Sequence, residues 1–289
     1  MRSIPLLGGV LCTLLAAAQP LPHSLLWRIS GPGITAPAYV LGTVHSRDAR
    51  AYQGNDSLWT AMAACAEVVG ELDNEAAAKG GLAVLSAMQM PGGKALADLY
   101  RKKDLERVRD ALQEHLGLMA LASDRMKPFW SMALLTETLM RNDSALVLDE
   151  AVQARARRSG RTVSGLETMQ EQLAAIDAIP LEDQAAMLLE MVRNGLYRGS
   201  IERMMDAYAR QDLEALEAVV REGGMPSSMD AALLAERNGR MADRMAARLA
   251  EGCSCFFAIG AAHLPGAGGV LDRLRGKGFL LTPVAVEPD

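Results

Sequence analysis

Apolar runs broken by glycine mark the two ends of this chain, whereas its middle carries the three-to-four-residue spacing of amphipathic helices. "LLWRIS", a turn-rich "GPG" and "AYVLGTVH" read as two strands with a short connection. "SLWTAMAACA" reads as a short helix with Asn55 or Asp56 placed to cap it, and "EVVGELD" returns as a strand. Helices are then predicted in "KDLERVRDALQEHL", "PFWSMALLTETLM" and "LDEAVQARARRSG", the last stopped by Gly160. "RTVSGLE" is a further short strand, and Thr168 to Glu171 has the spacing of a capping box that opens the next helix. Helical segments continue through "PLEDQAAMLLEMV", "SIERMMDAYARQDLEALEAVV" and "SSMDAALLAERNGRMADRMAARLAEG". β-structure resumes in "CFFAIG", and after a glycine-stopped helix in "GAGGVLDRLRGKG" the chain closes on a strand, "FLLTPVAV". The expected fold is α/β (α+β mixed), a small central sheet formed by both chain ends under a large helical insertion, roughly 75–160 and 168–250. No Pro/Ser-rich linker or long charge run marks a boundary, so residues 19–289 are expected to form a single domain.

The two ends also share an order: strand, G-x-x-H, helix, strand. Glu71 lies near the closing strand of the first unit and Glu287 near that of the second. Gly42 and Gly260 are expected to end their strands and let the backbone turn without steric cost. His45 and His263, two of only four histidines in the chain, then fall in loops at strand ends, where α/β proteins place ligand sites. If the units pack side by side in one sheet, both imidazoles face a single cleft, with Glu71 of "GELD" on its rim. Two imidazoles and a carboxylate are a ligand set for a catalytic metal that keeps a position open for water. Without a metal, the same trio could hold and deprotonate water. Taken alone, each G-x-x-H is also an ordinary strand-ending turn. Asp73 is a second carboxylate for this site or only a helix cap.

Composition narrows the function classes. The formal net charge of −5, with no basic stripe to offset it, argues against a nucleic-acid partner. Half the residues are hydrophobic yet 4% are aromatic, and the scattered methionines read as filler for a helical core. Arg2, the apolar stretch Ile4 to Ala17 and the Ala16-Ala17-Ala18 site read as a signal peptide over residues 1–18. The mature chain is then expected in the periplasm or secreted, with no transmembrane segment. A lipoprotein ending at Cys12 is the rival, but bulky Leu11 stands where a small residue is expected. Cleavage leaves Cys65, Cys253 and Cys255. Cys253 and Cys255, taken as facing apart on an extended segment, are expected to pair poorly, so a bridge from Cys65 to one of them is favoured. There is no H-E-x-x-H, G-x-S-x-G or G-x-x-x-x-G-K-[ST].

In "YVLGTVHS", "GELD", "SGLETMQEQL", "ERN" and "FFAIGAAHLPGAGGVLDRLRGKGF", which run in the same order across nearly the whole mature chain, the sequence resembles the TraB/GumN family with its PrgY and Tiki relatives. The resemblance to Tiki proteins implies a protease dependent on a divalent metal (Mn, Co or Zn). Its active centre would combine two G-x-x-H histidines and a glutamate, here His45, His263 and Glu71. Glu167 of "GLET" and Arg237 and Asn238 of "ERN" fit the family pattern as supporting residues, beside Gly42, Asp73 and Gly260. Arg237 would clamp a substrate carboxylate, orient Glu71, or tie a helix to the sheet. The expectation is an exported metal-dependent hydrolase with a peptide or small-molecule substrate. The alternative is a non-catalytic module that binds a peptide or haem in the same cleft.

Overall fold

The structure is a computed structural model that describes residues 23–52 and 56–284; the expected signal peptide, Asn55 and Glu287 lie outside the described residues. Its sheet comprises β1 (Leu26–Ser30), β2 (Tyr39–Thr43), β3 (Glu67–Gly70), β4 (Thr162–Gly165), β5 (Cys255–Gly260) and β6 (Leu280–Pro283), in the order β4-β3-β5-β2-β1-β6. Burial accounts for that order. The apolar run "CFFAIG" of β5 is buried at every residue but Gly260 and takes the centre, parallel to β2 on one side and to β3 on the other. A strand covered on both faces loses the alternation of a half-exposed one. No residue of β4 or β6 is fully buried, and these two strands take the edges. Val40, Val68, Phe256, Phe257 and Ile259 are 0% exposed, each such side chain contributing about 1.5–3 kcal/mol by burial.

The mixed α/β architecture, with strands from both ends around helical blocks, is as the sequence predicts. β2, β5, β3 and β4 are mutually parallel, while β1 runs antiparallel to β2 and β6 antiparallel to β1. The order strand, G-x-x-H, helix, strand holds at both ends, and the two units differ in where the closing strand sits in the sheet. β3 lies beside the central β5, whereas β6 runs in the same sense but at the far edge, beyond β1 and antiparallel to it. The helices Lys102–Leu116, Pro128–Leu139 and Leu181–Arg193 pack together around Leu96, Val108, Leu112, Leu135 and Leu188, an apolar cluster separate from that of the sheet. Among the described residues, no helix is long and apolar enough to cross a membrane.

Local chemistry sets the boundaries. The Thr168 hydroxyl accepts from the Glu171 N–H at 3.2 Å, and the Glu171 carboxylate accepts from the Thr168 N–H at 2.8 Å, which is the predicted capping box. The run "SIERMMDAYARQDLEALEAVV" is broken at Gln211, whose φ of 56° ends one helix before Asp212 caps the next. Met205, Met241 and Met245 are buried in the core.

The cysteine pairing differs from the expectation. Cys253 and Cys255 form a disulfide with Cα atoms 5.4 Å apart, and Cys65 is free and buried. Residues i and i+2 of an extended segment share a face, so the pair was never held apart by strand geometry. Burial pushes the Cys65 thiol up to about 11. Peptide mapping without reduction is therefore expected to recover Cys253 and Cys255 in one oxidised peptide. Cys65 should resist alkylation at neutral pH until the protein unfolds; a peptide cross-linked through Cys65 would restore the other pairing.

Candidate active site

Four parallel strands end at one edge of the sheet. Past their last residues come His45 after β2, His263 after β5, Glu71 after β3 and Glu167 after β4. β5 enters between β2 and β3, which precede it in the chain, so this edge lies at a switch in connection order, where open α/β sheets form ligand sites.

Glu71 is held from both sides. Its Oε1 accepts the Gly260 N–H at 2.7 Å, and its Oε2 accepts Arg237 Nη2 at 2.6 Å and Gln172 Nε2 at 3.3 Å. Arg237 also donates through Nε and Nη2 to Glu167 Oε2 at 2.9 and 2.6 Å, and the Glu167 side chain is fully buried. Arg237 opens the helix Glu236–Ala250 directly after a π-helical turn, Ala231–Ala235, whose Leu233 carbonyl accepts from Nη1 at 3.3 Å. Such a turn shifts the residues after it around the helix axis and is frequent at functional sites. Of the roles open to it, Arg237 orients Glu71 and ties its helix to the ends of β3 and β4 at once.

His263 ends a short 3-10 turn after β5 and is buried. Its Nδ1 lies 2.7 Å from Asn238 Oδ1, and Asn238 Nδ2 donates to the Gly268 carbonyl at 3.2 Å, which fixes the amide's direction. An amide oxygen only accepts, so the network assigns the ring proton to Nδ1 and leaves the Nε2 lone pair free. Nε2 faces Glu71 Oε1 at 3.6 Å, too far for a hydrogen bond. Burial depresses the His263 pKa, aided by the Arg237 charge and opposed without reversal by Glu71 and Glu167. Burial alone would raise the Glu71 carboxyl, but the charges of His263 and Arg237 and the Gly260 N–H outweigh it and hold it below its ordinary value.

The glycines serve close approach rather than a turn. Neither has a positive φ, and a Cβ on Gly260 would lie 3.1 Å from Glu71 Oε1. On Gly42 it would lie 2.7 Å from Leu264 Cδ1 and 3.1 Å from the Ala261 Cα, pressing the first device away from the second. His45 has different surroundings. Its side chain is 78% exposed, with Nδ1 3.8 Å from Asp149 Oδ2, while Asp149 Oδ1 accepts the Thr43 hydroxyl. The contact with Asp149 raises the His45 pKa, against some burial and with help from the charges of Asp149, Glu150 and Glu137. The ring borders a groove of about 630 Å³ whose walls include Met88, Trp130, Leu134 and Glu137. Asp73 accepts the Glu75 and Ala76 N–H groups, capping the helix Asn74–Ala78, and pairs with Arg157. Thr43, Asp149, Gln172 and Arg240, which reaches Glu167 Oε1 at 3.4 Å, were not singled out from the sequence. Only Gln172 carried a signal, as part of "SGLETMQEQL".

A parallel-stranded α/β sheet with a buried Glu–Arg–Glu cluster and an imidazole at its strand ends describes the class of this protein. Residues 25–283 match the TraB/PrgY/gumN family, and the chain belongs to it. It is 26% identical to the protein named Metalloprotease TIKI2 of Danio rerio, over 89% of this chain and 60% of that one. To Metalloprotease TIKI2 of Xenopus tropicalis it is 27% identical, over 96% of this chain and 62% of that one. The chain thus spans about 60% of the length of these curated relatives. No solved structure matches it.

Replacing Arg237 by Met removes the cation between Glu167 and Glu71, leaving Arg240 on Glu167 alone, and urea denaturation is expected to show a loss of about 3–5 kcal/mol. Acid should also weaken the fold. His263 binds its proton less readily folded than unfolded, so its contribution is full above about 6.5 and lost as pH falls. Glu71, also depressed, loses its contribution on further acidification from its ordinary value of 4.5. His263→Gln is expected to flatten the stability–pH curve below pH 6.5 relative to wild type; an unchanged slope would mean that the imidazole is not held neutral.

Proposed function

We propose that this chain is an exported hydrolase of peptide or similar amide bonds that uses a divalent metal (Mn, Co or Zn), with His45, His263 and Glu71 as the ligand set. The observation that carries the reading is the Glu71–His263 pair: an unprotonated Nε2 lies 3.6 Å from a carboxylate oxygen, close to the spacing of two ligands on one ion. The donor set suits such an ion, being a neutral imidazole and an ionised carboxylate. Both histidines turn Nδ1 toward a protein oxygen, Asn238 Oδ1 or Asp149 Oδ2, which favours Nε2 as the ligating atom of each. The named activity of the two metalloprotease relatives supports the same reading.

When bound, a divalent ion supplies a Lewis acid for the scissile carbonyl and for water. The protein's own groups divide the remaining work. Arg237 and the Gly260 N–H lower the basicity of Glu71, which suits it to a ligand rather than a proton acceptor. Asn238 keeps the His263 proton on Nδ1. The groove beside His45, with Trp130 and Met88 in its wall and Arg47 and Arg141 at its border, fits an extended peptide with apolar and acidic side chains.

Purified chain stripped of metal and reloaded with Mn²⁺, Co²⁺ or Zn²⁺ is expected to bind the ion and to turn over a quenched-fluorescent peptide library. His45→Ala, His263→Ala and Glu71→Gln should each lose bound metal and lower turnover about 100-fold or more. Asn238→Ala should weaken metal binding about 10–100-fold while leaving the ligands in place. Equal metal content in all variants would remove the metal site, and library binding without turnover would select the binding-module alternative.

A further inference from the structure

At the opposite end of β3 and β5 lies a second cluster. Glu67 opens β3, Cys255 opens β5, and the two residues are partners in the parallel ladder. Cys253 sits just before the strand, after Gly252 with its φ of 81°. Glu67 Oε2 lies 3.6 Å from Cys253 Sγ and 3.7 Å from Cys255 Sγ. Its other oxygen is fixed by the Ser164 hydroxyl at 2.5 Å and Arg248 Nη1 at 2.9 Å. Among the described residues, this is the one group of three or more His, Cys, Asp or Glu whose possible ligand atoms all lie within 4.8 Å of one another.

The geometry of the carboxylate is the informative part. A disulfide sulfur carries no proton, so in the oxidised form the pair offers Oε2 no donor. Reduced, the same two sulfurs become donors to Oε2 or, deprotonated, ligands beside it. Two thiolates and a carboxylate are ligands for a soft divalent ion, with a fourth position left open. On such an ion two sulfurs sit about 3.8 Å apart, a separation that a Cys-x-Cys segment following a glycine can span. The charges also balance: three anionic ligands against a divalent cation leave one negative charge, and the Arg248 guanidinium on Glu67 offsets it. Arg248 and Ser164 then hold the ligating carboxylate from outside.

We propose that Glu67, Cys253 and Cys255 form a second, thiolate-rich site for a soft divalent cation such as Zn²⁺, open only when the Cys253–Cys255 disulfide is reduced. The switch needs an external reductant: a dithiol gives two electrons and two protons to the S–S bond and leaves as a disulfide, or a phosphine gives its electron pair, takes the oxygen of one water whose two protons complete the thiols, and leaves as phosphine oxide. Metal entry then releases those two protons. The site stands about 16 Å along β5 from Gly260, so it does not share ligands with the proposed His–Glu centre.

Cobalt separates the two sites, because only thiolate ligation gives an intense near-ultraviolet charge-transfer band. The full chain, reduced with a phosphine, freed of excess reductant and titrated anaerobically with Co²⁺, is expected to develop that band. Unreduced chain should not develop it. Cys253→Ser should lose most of its intensity, Glu67→Gln should keep the band with weaker cobalt affinity, and Cys65→Ser and His263→Ala should leave it unchanged. Cys253 is only partly buried, and far-ultraviolet circular dichroism checks that the variant folds. Absence of the band in reduced wild type, or its persistence in Cys253→Ser with loss in Cys65→Ser, would overturn the proposal. Neither result bears on metal held by histidine and Glu71.

Discussion

The guanidinium of Arg237, buried between Glu71 and Glu167, is the interaction on which this sheet edge depends. Withdrawing three charges from water costs several kcal/mol per ion, and the cost is met only where the geometry is close and the remaining hydrogen bonds are made. Here Arg237 bonds both carboxylates at 2.6 Å, while the Gly260 N–H, Gln172 and Arg240 take other oxygen lone pairs. The cluster joins four elements: the ends of β3, β4 and β5 and the helix Glu236–Ala250. Removing the cation exposes an electrostatic fault in all of them, which is why a charged group in this place restrains the position of Glu71 more tightly than apolar packing would.

Strand order supplies what the charges then lock. Because β5 is inserted between β2 and β3, two loops from distant parts of the chain and the carboxylate of Glu71, just past β3, arrive at one edge without any long excursion. The parallel sense of these strands requires crossover connections, and those crossovers cover the faces of the sheet and bury its central strands. The glycines of the two devices belong to this argument rather than to turn chemistry. At Gly42 and Gly260 a methyl group would press on the neighbouring loop or on Glu71 itself.

Much of this was readable in the letters, for reasons that mark the limit of such reading. The apolar run of β5, the helix stops and the Thr168 capping box are local, and local patterns report on local structure. Glu71, Glu167 and Arg237 could be named one by one, but the contacts of Arg237 span 166 and 70 residues and nothing in either neighbourhood encodes them. The Asp149 partner of His45 is hidden the same way, as an ordinary acidic residue in a helix's first turn. The disulfide went astray through a geometric premise, that of opposite faces, rather than through missing information. β6 shows a further limit, because a strand's pattern gives its exposure and not the sense in which it pairs.

The repeated device is alike in sequence and unlike in electrostatics, and the difference bears on how a site made from both halves would work. His263 is buried and lies near Arg237, so protonation is disfavoured despite the opposing charges of Glu71 and Glu167. His45 is exposed, has a carboxylate near Nδ1 and lies close to two further acids, so protonation is favoured. A ligand atom must be unprotonated to bind. On the proposed reading, Glu71 and His263 therefore form the half of the ligand set that competes less with protons, and His45 the half that competes more. One half of the duplication supplies affinity less sensitive to pH, and the other makes completion of the site more proton-dependent. Two copies of the His263 environment would weaken that dependence, and two copies of the His45 environment would strengthen it.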